Sequence, residues 1–180
     1  ARFWWKACSS TSFTFNYERE LKDYNSNFNP KDLWIHHFDL GVRWAPTDYL
    51  SLDLDWTHSR ARSRATGDEL DSSYYENSPR LAVDLDWKGL LLGISYRYEW
   101  RKYTTTDNGD VDRTRADRVD RRHVWKFLVG YVLSEATTVS LEYTRTKKTS
   151  RIPHRQSASD DRDIDEAFEY DANTWEFTIT

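Results

Sequence analysis

The ionisable residues of this 180-residue chain recur with a spacing of two. Asp53 is followed by Asp55, Asp84 by Asp86, Arg97 by Glu99, and Asp39 by Arg43 at twice that interval. Side chains alternate across an extended strand, so each of these groups shares one strand face. Lys126, Glu142 and Glu176 complete the set, each flanked by apolar residues. Carboxylates and bases grouped in this way could do one of two things. In a narrow closed barrel they must pair, because an uncompensated buried ion is costly. In a wider barrel they would line a wet pore and set its selectivity. Both readings stay open. Acids outnumber bases eight to three among Asp39, Arg43, Asp53, Asp55, Asp84, Asp86, Arg97, Glu99, Lys126, Glu142 and Glu176, so a pore built from them would favour cations.

Other reactive residues point to less. His36 and His37 are adjacent and face opposite ways on a strand, so they cannot form one site. His36 is expected among lipid headgroups and His37 beside an inward carboxylate. His58, His123 and His154 lie near the polar loops with Ser and Asp in abundance, but no Gly-x-Ser-x-Gly elbow occurs, and no catalytic residue is assigned. The stretch Asp107-Asn108-Gly109-Asp110-Val111-Asp112 offers oxygen ligands of calcium type, with Asp107, Asp110 and Asp112 as the candidates. It lacks a closing Glu, and Asn-Gly is a common hairpin turn, so a plain loop tip is expected, with no metal and no cofactor. The acidic run at 160–166 reads as a solvated rim. Arg113, Arg115, Arg118, Arg121 and Arg122 are interleaved with Asp112, Asp117 and Asp120, which favours local pairing between strands. Cys8 is the single cysteine, so no internal disulfide forms. The apolar run that should precede a lipidated cysteine is missing, leaving a turn or buried thiol.

The elements that carry these residues are strands. From Leu90 to Trp100 one face is Leu90, Leu92, Ile94, Tyr96, Tyr98 and Trp100, and the other is Leu91, Gly93, Ser95, Arg97 and Glu99. The same alternation predicts strands over 11–21, 34–45, 49–58, 79–87, 122–133, 137–147 and 170–180, with a partial one at 2–6. Lys88-Gly89 reads as a two-residue hairpin turn, and Pro46-Thr47-Asp48 and Ser134-Glu135-Ala136 as tight turns. Polar loops fill the remaining connections, so long and short connections alternate.

Composition decides where such strands belong. Charged residues make up 31% and mean hydropathy is -0.89, and no window approaches the ~18 consecutive apolar residues of a membrane-spanning helix. A barrel strand shows lipid only half its side chains, so low mean hydropathy does not exclude a membrane. Aromatic residues reach 16%, with nine Trp. Trp and Tyr favour membrane interfaces, and Trp34, Trp44, Trp56, Trp87, Tyr98, Trp100, Trp125, Tyr143 and Trp175 are assigned to aromatic girdles. A net charge of -4 gives no basic excess for nucleic acid. The fold expected for residues 1–180 is therefore all-β: one antiparallel up-and-down transmembrane β-barrel domain with about eight strands in this chain. A soluble β-sandwich is the alternative.

The pattern resembles the outer-membrane β-barrel porins of Gram-negative bacteria, whose relatives stand beside polysaccharide-export and other envelope-secretion systems. The likeness is carried by strand pairs such as Phe127-Leu128-Val129-Gly130-Tyr131 followed by Thr138-Val139-Ser140-Leu141-Glu142-Tyr143-Thr144-Arg145, and by Tyr170-Asp171-Ala172-Asn173-Thr174-Trp175 leading into the last strand. It covers most of the chain and supports the fold more than any transport activity. The resemblance implies an outer-membrane location, contact with membrane lipid and lipopolysaccharide, and a role as a porin or export channel. Its alternative is a structural or interaction barrel whose long loops anchor other envelope or secretion proteins. A third possibility is a barrel around an electron-transfer protein; no Cys-x-x-Cys-His occurs, so any haem would belong to the partner. Such barrels usually finish on an aromatic residue, whereas this sequence stops at Thr180 in mid-strand and starts strand-like at Arg2, so a larger barrel is the expectation.

Overall fold

A computed structural model describes residues 1–22, 33–63, 73–104, 117–151 and 169–180, and every structural statement below concerns these. They form nine strands: β1 (Arg2–Cys8), β2 (Thr11–Lys22), β3 (Leu33–Thr47), β4 (Leu50–Ser63), β5 (Tyr74–Trp87), β6 (Leu90–Tyr103), β7 (Val119–Ser134), β8 (Thr137–Arg151) and β9 (Tyr170–Ile179). Each strand pairs antiparallel with the next, in the order β1-β2-β3-β4-β5-β6-β7-β8-β9. No helix occurs among the described residues.

The all-β, up-and-down expectation holds; closure and strand count need correction. The partial strand at the start is a full partner of β2, which gives nine strands instead of about eight. β1 and β9 do not pair, so the sheet is open, with a free edge at each side.

Turn chemistry explains one end of the sheet. Two-residue turns join the hairpins at 9–10, 48–49, 88–89 and 135–136. At Lys88-Gly89 both residues have positive φ, 49° and 84°, as a type I′ turn requires to match strand twist. The turn expected at Pro46-Thr47-Asp48 sits slightly later: β3 runs through Thr47 and its register shifts between Trp44 and Thr47. A proline has no N–H for the ladder, and a shift there accommodates it. The opposite end carries the connections 23–32, 64–73, 104–118 and 152–169, so short and long connections do alternate.

Toward the long connections the strands outrun the sequence pattern. β4 continues from His58 to Ser63, and β5 begins at Tyr74 rather than Pro79. β6 continues past Trp100 to Tyr103, and β7 starts at Val119. Pro79 lies inside β5; it pairs with Trp56 of β4, while the β5–β6 ladder is interrupted between Asn77 and Arg80. The Asp107, Asp110 and Asp112 candidates, His154 and the acidic run at 160–166 lie outside the described residues.

One face of the sheet leaves large apolar side chains exposed, while a few charged groups are buried. Leu54 is 57% exposed and Leu81 50%, whereas Glu99 is 9% exposed and Asp120 6%. Buried apolar side chains are few: Leu33, Ile35 and Ala61 form a small cluster near the long connections, with Tyr74 packed on it.

Candidate functional site

Antiparallel register decides which charges meet. Directly opposed residues point to the same face. Arg43 opposes Asp53, Asp55 opposes Arg80, Glu99 opposes Arg122, and Lys126 opposes Glu142. The eleven residues singled out by their spacing all fall on this one face, which we call the inner face. Arg80 donates to Asp55 at 2.9 Å, Arg122 to Glu99 at 2.6 Å and Lys126 to Glu142 at 2.7 Å. Arg43 stands 3.9 Å from Asp53, and Arg97 4.0 Å from Glu99. Asp39 accepts from Asn16 at 3.1 Å. Asp84, Asp86 and Glu176 make no ion pair among the described residues, and Glu176 lies directly opposite Glu142. A hollow of about 450 Å³ opens on this face, lined by Arg80, Asp84, Arg97, Glu99, Arg122, Lys126 and Glu142 among others.

Small residues let this face carry so many charges. A Cβ at Gly41 would stand 2.4 Å from Thr14 Oγ1 and 2.8 Å from Asp55 Oδ1. Glycine there leaves room for the side chains of β2 and β4 on either side.

The other, outer face is aliphatic in its middle and aromatic toward its ends. Leu54 opposes Val42 and Leu81, and Ile94 opposes Val83 and Phe127. Trp44 and Trp87 lie near the short turns, and Trp34 and Trp100 near the long connections. Between Leu90 and Trp100, at about 3.4 Å per residue and a tilt of about 40°, the outer apolar run of β6 rises roughly 26 Å. That height matches the hydrocarbon band of an outer-membrane barrel. Trp56, Tyr98, Trp125, Tyr143 and Trp175 are also on this face, so the nine aromatic residues assigned to girdles all face outward.

Histidines belong to the aromatic layer. Tyr17 Oη lies 2.8 Å from His36 Nδ1, and Tyr96 Oη 2.7 Å from His123 Nδ1. The His123 and Trp125 rings stack at 5.6 Å, and Trp56 stacks on His58 at 5.8 Å. His37 turns inward as anticipated, 3.4 Å from Glu20 and 2.9 Å from Ser59 Oγ. His37 alone among them adjoins both a hydroxyl and a carboxylate, with Nδ1 on Ser59 Oγ and Nε2 toward Glu20, and Ser59 is buried. His, Cys, Asp and Glu form no group suited to a metal among the described residues.

Beyond the aromatic layer lies a collar that the strand pattern did not reveal. Its inner side holds Leu33, Ile35, Ala61 and Tyr74, and beside them a buried polar knot. Arg118 grips Asp120 with two hydrogen bonds of 2.8 Å, and Ser150 donates to Asp120 at 2.8 Å. Lys148 stands 3.2 Å from the same carboxylate. Burial alone would push the Asp120 pKa up, but the hydrogen bonds from Arg118 and Ser150 and the charges of Arg118 and Lys148 outweigh it and hold it below the ordinary value. Nearby, Arg101 binds Glu76 at 2.6 Å and lies over the Tyr74 ring. Burial opposes the Arg101 charge, but Glu76 more than compensates and raises its pKa. The pairing expected of the arginine-rich stretch is thus present for Arg118 and Arg122. Comparison with known protein families, with characterised proteins and with solved structures returns no match.

Proposed function

We propose that this sheet is the wall of a Gram-negative outer-membrane β-barrel, with the apolar outer face against lipid and the charged inner face toward a lumen that conducts solute or exported polymer. The observation that carries the reading is the sorting of side chains: leucines, valines and aromatics stand exposed on one face, while the other carries the paired charges, with Glu99 buried between Arg122 and Arg97. In water such a face would be an aggregation hazard; in lipid it is the required surface. Membrane lipid and lipopolysaccharide are then the first partners. Within hydrocarbon every backbone polar group must be paired, so the free edges of β1 and β9 call for further strands, from the same protein or from another chain.

The experiment is refolding of the intact protein into detergent and lipid vesicles, followed by conductance in planar bilayers. A heat-sensitive shift in gel mobility and discrete conductance steps with a mild cation preference are expected. A monodisperse, water-soluble fold without a detergent belt would overturn the membrane reading, and anion preference would overturn the selectivity.

A second reading rests on the ion pairing of the inner face. Pairs from Arg43–Asp53 to Lys126–Glu142 suit a narrow barrel filled by its own side chains, which would anchor an envelope assembly through its long connections. Insertion without conductance selects this one.

A further inference from the structure

The acids of strands β2 to β9 are confined to one face of the sheet with one exception, whereas bases stand on both. Within the strands of β2 to β9 each carboxylate, from Glu18 to Glu176, lies on the inner face, save Asp171, which is held by Arg145 at 2.8 Å on the outer face of β9. The outer face beyond the apolar band is cationic. Arg19, Arg60, Arg62, Lys102, Arg121 and Lys147 stand there, one on β2, two on β4 and one each on β6, β7 and β8.

Register ties these cations to the aromatic layer. Arg62 lies directly opposite Trp34, and Arg60 opposite His36 and Tyr75. Lys102 opposes Tyr75, Arg121 opposes Trp100, and Lys147 opposes His123. The Arg19 guanidinium lies 4.1 Å from the centre of the Trp34 ring. Arg19, Arg60, Arg62, Arg121 and Lys147 are exposed. Arg60, Arg62, Lys102 and Arg121 have no carboxylate partner among the described residues, although acids abound on the other face. A cation level with an aromatic belt, on the side of the sheet that carries the apolar band, is within side-chain reach of lipid phosphate. Guanidinium is also the group best suited to phosphate, through two parallel hydrogen bonds.

We propose that this outward belt binds the phosphate-bearing headgroups of the lipid leaflet on the long-connection side, several cations of adjacent strands closing on one polyphosphorylated headgroup. The proposal rests on the membrane reading above and names the lipid class that the surface selects. It also explains why the net negative chain keeps its strand-borne acids inside: a carboxylate outside would repel the leaflet.

The test uses the intact protein in phosphatidylcholine nanodiscs with and without lipid A, with retained lipid counted by native mass spectrometry. The wild type should retain lipid A selectively. The triple variant Arg60→Gln/Arg62→Gln/Arg121→Gln should lose that retention roughly tenfold or more, while inner-face Arg43→Gln should keep it. Equal retention by the triple variant, or retention that inorganic phosphate at millimolar concentration abolishes, overturns the belt while leaving the membrane reading intact. Failure of the wild type to enter either nanodisc overturns both.

Discussion

The middle of the sheet and its collar are built from the same strands by opposite rules. In the middle, Leu54, Leu81 and Ile94 face out while Asp55, Arg80 and Glu99 face in. In the collar, Arg60 and Arg62 face out while Ile35 and Ala61 are packed inside, 4% and 2% exposed. One strand, β4, carries both codes, and the switch falls at His58, between Trp56 and Arg60. Water suits the collar, where apolar groups cluster inside, Arg60 and Arg62 stay wet, and the buried Asp120 is fully paired. On the proposed membrane reading, hydrocarbon suits the middle, and the aromatic and histidine layer lies at the boundary.

The sharpest way to break this comparison is to place the same charge on either side of the boundary. Leu54→Arg puts a cation in the middle of the outer face. In lipid it should cost about 2–4 kcal/mol, whereas the same change on a sheet in water should be neutral or favourable. Urea titration of the vesicle-refolded protein reads the difference, and an unchanged midpoint would end the claim that this face meets lipid. The collar answers in the other sense. Ile35→Ala removes a packed side chain from a small cluster and should cost about 2 kcal/mol. The loss should appear as faster amide exchange in β3 and β4 near the long connections, with no change near Asp48; uniform acceleration would mean the cluster is not a local unit.

This division also explains what the sequence could reveal. Period-two hydropathy located the middle of every strand, because only there does the outer face alternate with a polar one. It failed past His58 and before Pro79, where outward Arg60 and Arg62 sit beside inward Ser59 and Ser63 and the alternation in hydropathy disappears. The ladder itself continues, with Ala61 opposite both Ile35 and Tyr74. For the same reason Glu76, Arg101 and Asp120 were missed as inner-face groups. The one usable signal was the interleaving of arginine with aspartate around Arg118 and Asp120. Which charges pair was not legible either, since the partner of Glu99 depends on a β6–β7 register that no local pattern encodes.

A smaller effect sharpens the comparison at the inner face. Glu99→Gln leaves Arg122 and Arg97 without their carboxylate and should destabilise by about 1 kcal/mol, discounted because Arg122 is partly solvated. If the lumen conducts, the variant should also move the reversal potential toward anions. A shift toward cations would show that Glu99 does not face the conduction path.

Acidification should act on the collar by the smallest step. The folded Asp120 pKa lies below its ordinary value of 3.8. A carboxylate whose pKa is depressed by folding contributes stability that is fully present above the unfolded value. That contribution is lost as pH falls from 3.8 through the lower folded value. Between those limits the hydrogen bonds from Arg118 and Ser150 should weaken, and amides from Val119 to Arg122 should exchange faster relative to those around Leu128. Asp120→Asn should exchange faster at neutral pH already and lose the acid step, because an amide accepts hydrogen bonds but carries no charge for Arg118 and Lys148 to hold. If the acid step persists in the variant, the titrating group lies elsewhere in the collar, and its stability owes less to this buried carboxylate than to the apolar cluster beside it.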